Sequence, residues 1–147
     1  MLKFILILWQ LPQVLVSLFL PRFYKPEKSL TYKGKKVIVS TAIPSGVSLG
    51  NLIYVRRYPY NKVTWDAIRH EYGHCRQSMM LGWLYLIVIG LPSAIGCLID
   101  RKCHGDWPDL DRTVWYYGLP WEKWADKLGG VCRFERFRNI NSVINGQ

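Results

Sequence analysis

The sequence predicts an α+β domain: a small antiparallel sheet followed by helices, with an apolar helix in front and a second apolar segment in the middle. Three observations carry that prediction. β-branched residues and turn formers crowd between residues 30 and 55. Helix start and stop signals bracket residues 64–81 and 120–130. Two apolar runs cover residues 2–20 and 81–99. With 147 residues the chain has room for one modest domain.

The first run, Leu2 to Leu20, contains Lys3, Gln10, Pro12, Gln13 and Ser17. Its end, Ser17-Leu18-Phe19-Leu20-Pro21, is too bulky for a signal-peptide cleavage site. It is barely long enough to span hydrocarbon, and the Gln-Leu-Pro-Gln interruption suits a helix lying in the interface, with Trp9 at headgroup depth. We therefore expect residues 1–21 to form a membrane-associated helix and residues 22–147 to form the main domain. A buried helix of a soluble domain is the plainer alternative.

Pro21 to Lys28 reads as a basic linker. Leu30-Thr31-Tyr32 and Lys36 to Ala42 read as strands around a Lys33-Gly34 turn. Pro44-Ser45-Gly46 is a second turn. Val47-Ser48-Leu49 and Leu52 to Val55 flank Gly50-Asn51, which suits a tight hairpin or a bulge. After a loop from Arg56 to Lys62, Thr64 is placed to cap a helix running to about Leu81. Leu81 to Ile99 is apolar but divided by Gly90-Leu91-Pro92-Ser93. Arg101 to Asp111 reads as a polar loop and Thr113 to Tyr117 as a short helix. Pro120 opens the last helix, Gly129-Gly130 ends it, and the tail from Arg138 onward is polar.

Composition excludes several classes. Half of the residues are hydrophobic and 14% are aromatic, which excludes a disordered chain. Four cysteines are too few for a disulfide-stapled miniprotein, and no internal period supports collagen, coiled-coil or solenoid readings. Cys75, Cys97, Cys103 and Cys132 include no pair with a two-residue gap, so we read them as reduced thiols on the cytosolic side. A Cys97–Cys103 disulfide is the one alternative. The net charge of +10 invites a nucleic-acid reading. Its charges are scattered over Lys33, Lys35, Lys36, Arg56, Arg57, Arg101, Lys102, Arg133, Arg136 and Arg138, with no recognition-helix pattern. No nucleic-acid partner is expected. Basic residues beside apolar segments fit the cytoplasmic side of a membrane instead.

The chemistry resides in His70-Glu71-Tyr72-Gly73-His74, an H-E-x-x-H pattern within the Thr64 helix. Residues four apart on a helix nearly eclipse, so His70 and His74 can offer two imidazoles to one Zn²⁺. Glu71 points to the side, where it can take a proton from a zinc-activated water. Two surface histidines beside an ordinary glutamate is the bland alternative. Catalytic zinc needs a third protein ligand. Glu122 and Asp126, also four apart on one helix face, stand in Pro120-Trp121-Glu122-Lys123-Trp124-Ala125-Asp126. His104, between Cys103 and Gly105 and near Asp106, competes as a ligand but ranks below Glu122.

Together the two segments resemble the H-E-x-G-H and E-x-x-A-D pair of gluzincin metallopeptidases. The likeness is greatest to the membrane group that contains HtpX-like peptidases and CAAX prenyl proteases. It covers about 60 residues, from the Thr64 helix to Gly130. It implies a zincin-like fold with an active-site helix and a glutamate-bearing helix. It further implies that His70, His74 and Glu122 are zinc ligands, that Glu71 is the general base, and that Asp126 orients a ligand histidine. Gly73 and Ala125 match the small positions of both motifs. Those relatives are much longer, with several spanning helices. In zincins an edge strand beside the catalytic helix holds the peptide substrate, and Leu52 to Val55 or Val37 to Ala42 is the expected strand. Tyr116, Tyr117 and His104 are candidates for stabilising the oxyanion, with plain packing as the alternative for each.

A shared metal constrains topology. If Leu81 to Ile99 crossed the bilayer once, Glu122 would lie about 30 Å of hydrocarbon away from His74, whereas a zinc–carboxylate bond is about 2 Å. The segment is therefore expected to turn back at Gly90-Leu91-Pro92 as a re-entrant apolar hairpin, or to be buried against the fold. Arg22, Lys25 and Lys28 after the first helix then put the site on the cytoplasmic face. The reading is a membrane-associated zinc peptidase acting on peptide or protein substrate. Its rivals are a catalytically inactive zinc-stabilised adaptor or inhibitor, and a membrane-perturbing protein in which the His-Glu cluster is incidental.

Overall fold

The β-branched stretch forms four strands: β1 (Lys28–Tyr32), β2 (Lys35–Ser40), β3 (Val47–Leu49) and β4 (Leu52–Arg56). The computed structural model describes residues 2–24 and 26–133, so the tail expected from Arg138 lies outside the described residues. The described residues also form seven α-helices. They are α1 (Leu2–Trp9), α2 (Leu11–Ser17), α3 (Leu20–Phe23), α4 (Asn61–Leu81), α5 (Leu91–Cys103), α6 (Asp109–Gly118) and α7 (Pro120–Gly129). The architecture is α+β, as expected.

The sheet order is β1-β2-β4-β3. Lys33 and Gly34, both at positive φ, make the β1–β2 turn, and Gly50 at φ 61° makes the tight β3–β4 hairpin. The expected all-antiparallel sheet is corrected at its centre, where β2 and β4 run parallel with Val37 opposite Ile53. The loop after β2 carries the chain past the position beside β2, and β3 then folds back to insert β4 there. Both expected edge strands, Leu52 to Val55 and Val37 to Ala42, are therefore interior. Among the described residues the edges are β1 and β3.

Both faces of the sheet are covered, which explains its continuous apolar runs. Val37, Val39, Ile53 and Val55 pack on Ile68 and Cys75 of α4. Ile38 and Tyr54 on the other face join Ile43, with Leu20 and Tyr24 packed against them. Helix α4 begins at Asn61, three residues before the expected cap. Thr64 does not cap it. Its hydroxyl instead accepts the Tyr58 N–H at 3.2 Å and so ties down the loop before the helix.

Helix α4 lies along α7 at a point without side chains. A methyl group added to Gly73 would overlap the Ala125 carbonyl oxygen, and one added to Gly129 would overlap that of Arg69. This approach positions the polar residues described below.

The expected single helix over residues 1–21 is broken into three. Pro12 and Pro21 stand in the first turns of α2 and α3, where a missing N–H costs nothing. These helices turn their polar side inward. Gln13 is 0% exposed, whereas Leu18, Phe19 and Phe23 are 67%, 66% and 71% exposed. Gln13 Nε2 donates to the Gly82 carbonyl, and Ser78 donates to Gln10 Oε1 at 3.3 Å. Trp9 Nε1 donates to the Met79 carbonyl at 3.0 Å, and Trp83 Nε1 to that of Leu8 at 2.7 Å.

The apolar segment 81–99 turns at a different place from the one expected. Gly82, at φ 55° with the Trp9 ring against its Cα, ends α4. A 3₁₀ turn (Gly82–Leu84) and a π turn (Leu86–Gly90) lead into α5. Gly90-Leu91-Pro92 therefore forms no hairpin, because Pro92 sits in the first turn of α5 and the helix continues to Cys103. The break between the Lys62–Leu84 and Leu86–Cys103 rods is 120°. Helix α6 likewise begins at Asp109, so the loop expected over Arg101 to Asp111 is confined to residues 104–108. All four cysteines are free thiols.

Gly73→Ala should lower unfolding stability by about 1–3 kcal/mol or more, since the clash is with backbone. Gly118→Ala, with open space around its Cα, should be neutral or slightly stabilising. Denaturant unfolding in detergent checks both.

Candidate metal centre

His70 and His74 lie one turn apart on α4, and Glu122 and Asp126 one turn apart on α7. Because the helices meet at Gly73 and Ala125, each pair flanks the contact. One ligand atom from each of His70, His74 and Glu122 falls within 4.8 Å of the others. Glu122 Oε2 lies 3.0 Å from His70 Nε2 and 3.2 Å from His74 Nε2. All three residues are buried, and Glu71 beside them is 6% exposed.

The outer nitrogens of both rings are occupied. His70 Nδ1–H donates to Asp126 Oδ1 at 2.7 Å. His74 Nδ1 lies 2.7 Å from Gln77 Oε1. Gln77 Nε2 donates to the Trp121 carbonyl at 2.8 Å, which turns its oxygen toward the ring. Both imidazoles are thereby held as Nδ1–H tautomers, with Nε2 facing Glu122.

Neutral rings in that tautomer aim two lone pairs at one carboxylate oxygen, an arrangement that requires a proton or a cation between them. Glu122 Oε1 is moreover buried without a hydrogen-bond partner among the described residues. Two imidazoles and a carboxylate, each neutral ring backed by an acceptor, form a donor set suited to a divalent ion with one position left open. The residues fit such an ion.

Without metal, the cluster is an ion pair. Burial opposes the charged form of His70, but hydrogen bonds to Asp126 and Glu122 prevail and raise its pKa to about 9. Burial would raise Glu122, yet the two histidine hydrogen bonds hold it well below the usual carboxylate range. Burial raises Glu71 above its ordinary value. Its carboxyl is pressed against Gly46 in the β2–β3 loop, where an added methyl group would overlap Oε1.

The other expected site residues divide. The Tyr117 ring meets His70 edge-on at 5.1 Å, beside the cluster. Tyr116 pairs its hydroxyl with Ser93 at 3.1 Å. His104 stacks on Trp107 at 3.9 Å and meets Trp115 at 4.4 Å, which gives it a packing role at the α5–α6 corner. It is not part of the group of described residues that could hold a metal ion. Two neighbours escaped the sequence reading, Gln77 and Arg133. Gln77 lies three residues beyond His74 on the same helix face, a signal that was available. Arg133 follows the helix-ending glycines and had no such signal. Comparison of the chain with family models, curated proteins and solved structures finds no match.

The metal-free protein should lose stability as pH rises from 6.5 toward 9. A histidine whose folded pKa is raised from 6.5 to about 9 binds its proton more tightly in the folded state, so its contribution is full below 6.5 and gone above 9. Glu122 acts oppositely, its contribution being present above 4.5 and lost at more acid pH. Melting temperatures of chelator-treated protein in detergent check this, and a flat profile from 6.5 to 9 contradicts it.

Proposed function

We propose that the chain is a membrane-associated zinc-dependent peptidase with a zincin-like core. The observation that carries the reading is the convergence of His70, His74 and Glu122, with Glu71 adjacent. A zinc ion held there would supply Lewis-acid chemistry for peptide hydrolysis. His70, His74 and Glu122 would hold the ion, while Asp126 and Gln77 keep the two rings in the tautomer that turns Nε2 toward it. Glu71 accepts the proton of the attacking water and returns it to the leaving amine. We assign the peptide-binding edge to β3, an edge strand that contacts α4.

Two features support a lipid partner. The first helices bury glutamines and expose Leu15, Val16, Leu18, Phe19 and Phe23, the reverse of a water-facing amphipathic helix. Ile87, Leu91, Ile95 and Leu98 on the segment leading into and along α5 are exposed as well. No single described helix is long and apolar enough to cross a membrane. The His74–Glu122 contact supports an apolar segment that enters and leaves on one side, and the basic residues near Arg22 favour the cytoplasm for that side.

A second reading, a catalytically inactive zinc-stabilised adaptor or inhibitor, draws on the closed site. Glu71 is buried, with its carboxyl against Gly46.

The test is metal content beside hydrolysis. Wild type should carry about one zinc per chain and cleave unfolded protein substrate in detergent. Glu71→Gln should keep the zinc and lose at least about a hundredfold in rate. His74→Ala and Glu122→Ala should lose the zinc. Undiminished hydrolysis by Glu71→Gln removes the base assignment, and zinc without hydrolysis by wild type favours the second reading. A zinc-free wild type leaves neither standing.

A further inference from the structure

We infer that Arg133 is a positioning residue for the metal centre, acting on His70 through Asp126; this rests on the metal-binding part of the reading above. Arg133 lies outside both sequence motifs, seven residues beyond Asp126. Gly130, at φ 76° and ψ 39°, caps α7 in the left-handed conformation. The Val131 N–H then returns to the Asp126 carbonyl at 2.9 Å. This reversal brings the Arg133 side chain back onto the last turns of the helix.

There Arg133 Nε donates to Asp126 Oδ2 at 2.9 Å, while Oδ1 of the same carboxylate accepts the His70 Nδ1–H at 2.7 Å. The guanidinium carbon sits 3.6 Å from the centroid of the Tyr117 ring. That ring meets His70 edge-on. Arg133 thus touches both groups that hold the His70 imidazole from outside the cluster.

The physical need is specific. The terminal torsion of an aspartate is broad, so one hydrogen bond leaves its plane free to swing. A guanidinium on the second oxygen removes that freedom and keeps Oδ1 on the imidazole. A buried carboxylate also requires a compensating charge. A metal-ligating imidazole is neutral and cannot supply it, whereas arginine is always charged. Lysine would restore the charge but neither the planar fork nor the stacking on Tyr117.

Zinc affinity of the full-length chain in detergent, measured by competition with a chromogenic chelator, tests this. Arg133→Ala should bind zinc about 10- to 100-fold more weakly, the usual loss when an outer partner of a ligand is removed. Arg133→Lys should fall between it and wild type. In an Asp126→Asn background, Arg133→Ala should weaken binding no further, which a merely structural role would not produce. Wild-type affinity in Arg133→Ala, or a full additional loss in the double variant, overturns the inference while the zinc centre stands. If Arg133→Ala does not fold, Arg133→Lys with wild-type affinity, or Asp126→Asn with wild-type affinity, overturns it. A wild type that takes up no zinc sinks the metal-centre reading and this inference together.

Discussion

The approach of α4 to α7 at Gly73 and Ala125 is the constraint on which the centre depends. Gly73 lies between His70 and His74, and Ala125 between Glu122 and Asp126. The contact is nearly backbone on backbone, with no space for a methyl group at Gly73. Helix axes that close let short side chains from one helix reach the rings of the other. A larger residue at the crossing would move the carboxylates away from the imidazoles. The contacts of His70 with Asp126 and of both rings with Glu122 would then be lost, and buried polar groups are tolerated only when paired. Packing and polar satisfaction are one requirement here.

The parts of the fold set by local chemistry were legible in the sequence. Residue spacing placed His70 with His74 and Glu122 with Asp126, and the Lys33-Gly34 and Gly50-Asn51 turns followed from their glycines. The parts set by distant partners were not. Strand order depends on which neighbours cover each face, and nothing within Val37 to Ala42 distinguishes a parallel from an antiparallel partner. Gly82 and Gly90 look alike as breakers. The bend is at Gly82 because Trp9, more than seventy residues earlier, packs on its Cα while Gln13 binds its carbonyl. Arg133 was visible only as one basic residue among many, since its role depends on the chain reversal at Gly130.

The closed site and the inverted helices share a logic. Polar groups are drawn inward and meet partners there, Asp126 and Gln77 at the cluster and Ser78 and Gly82 at the first helices, although Glu122 Oε1 and Gln13 Oε1 have no hydrogen-bond partner among the described residues. Apolar side chains are left outward around the first helices and α5. The proposed lipid surroundings would reward both tendencies, because hydrocarbon accepts the exposed leucines and phenylalanines but penalises any unpaired amide.

The hydrogen bonds from Gln10 and Gln13 bridge sequence separations of 68 and 69 residues. A ribosome adding roughly 5–20 residues per second needs on the order of three to fourteen seconds to produce that length of chain. Throughout that interval the nascent helices carry greasy flanks and amides whose hydrogen-bond partners have not yet been synthesised. The first helices therefore keep their buried amides without these partners until α4 is complete.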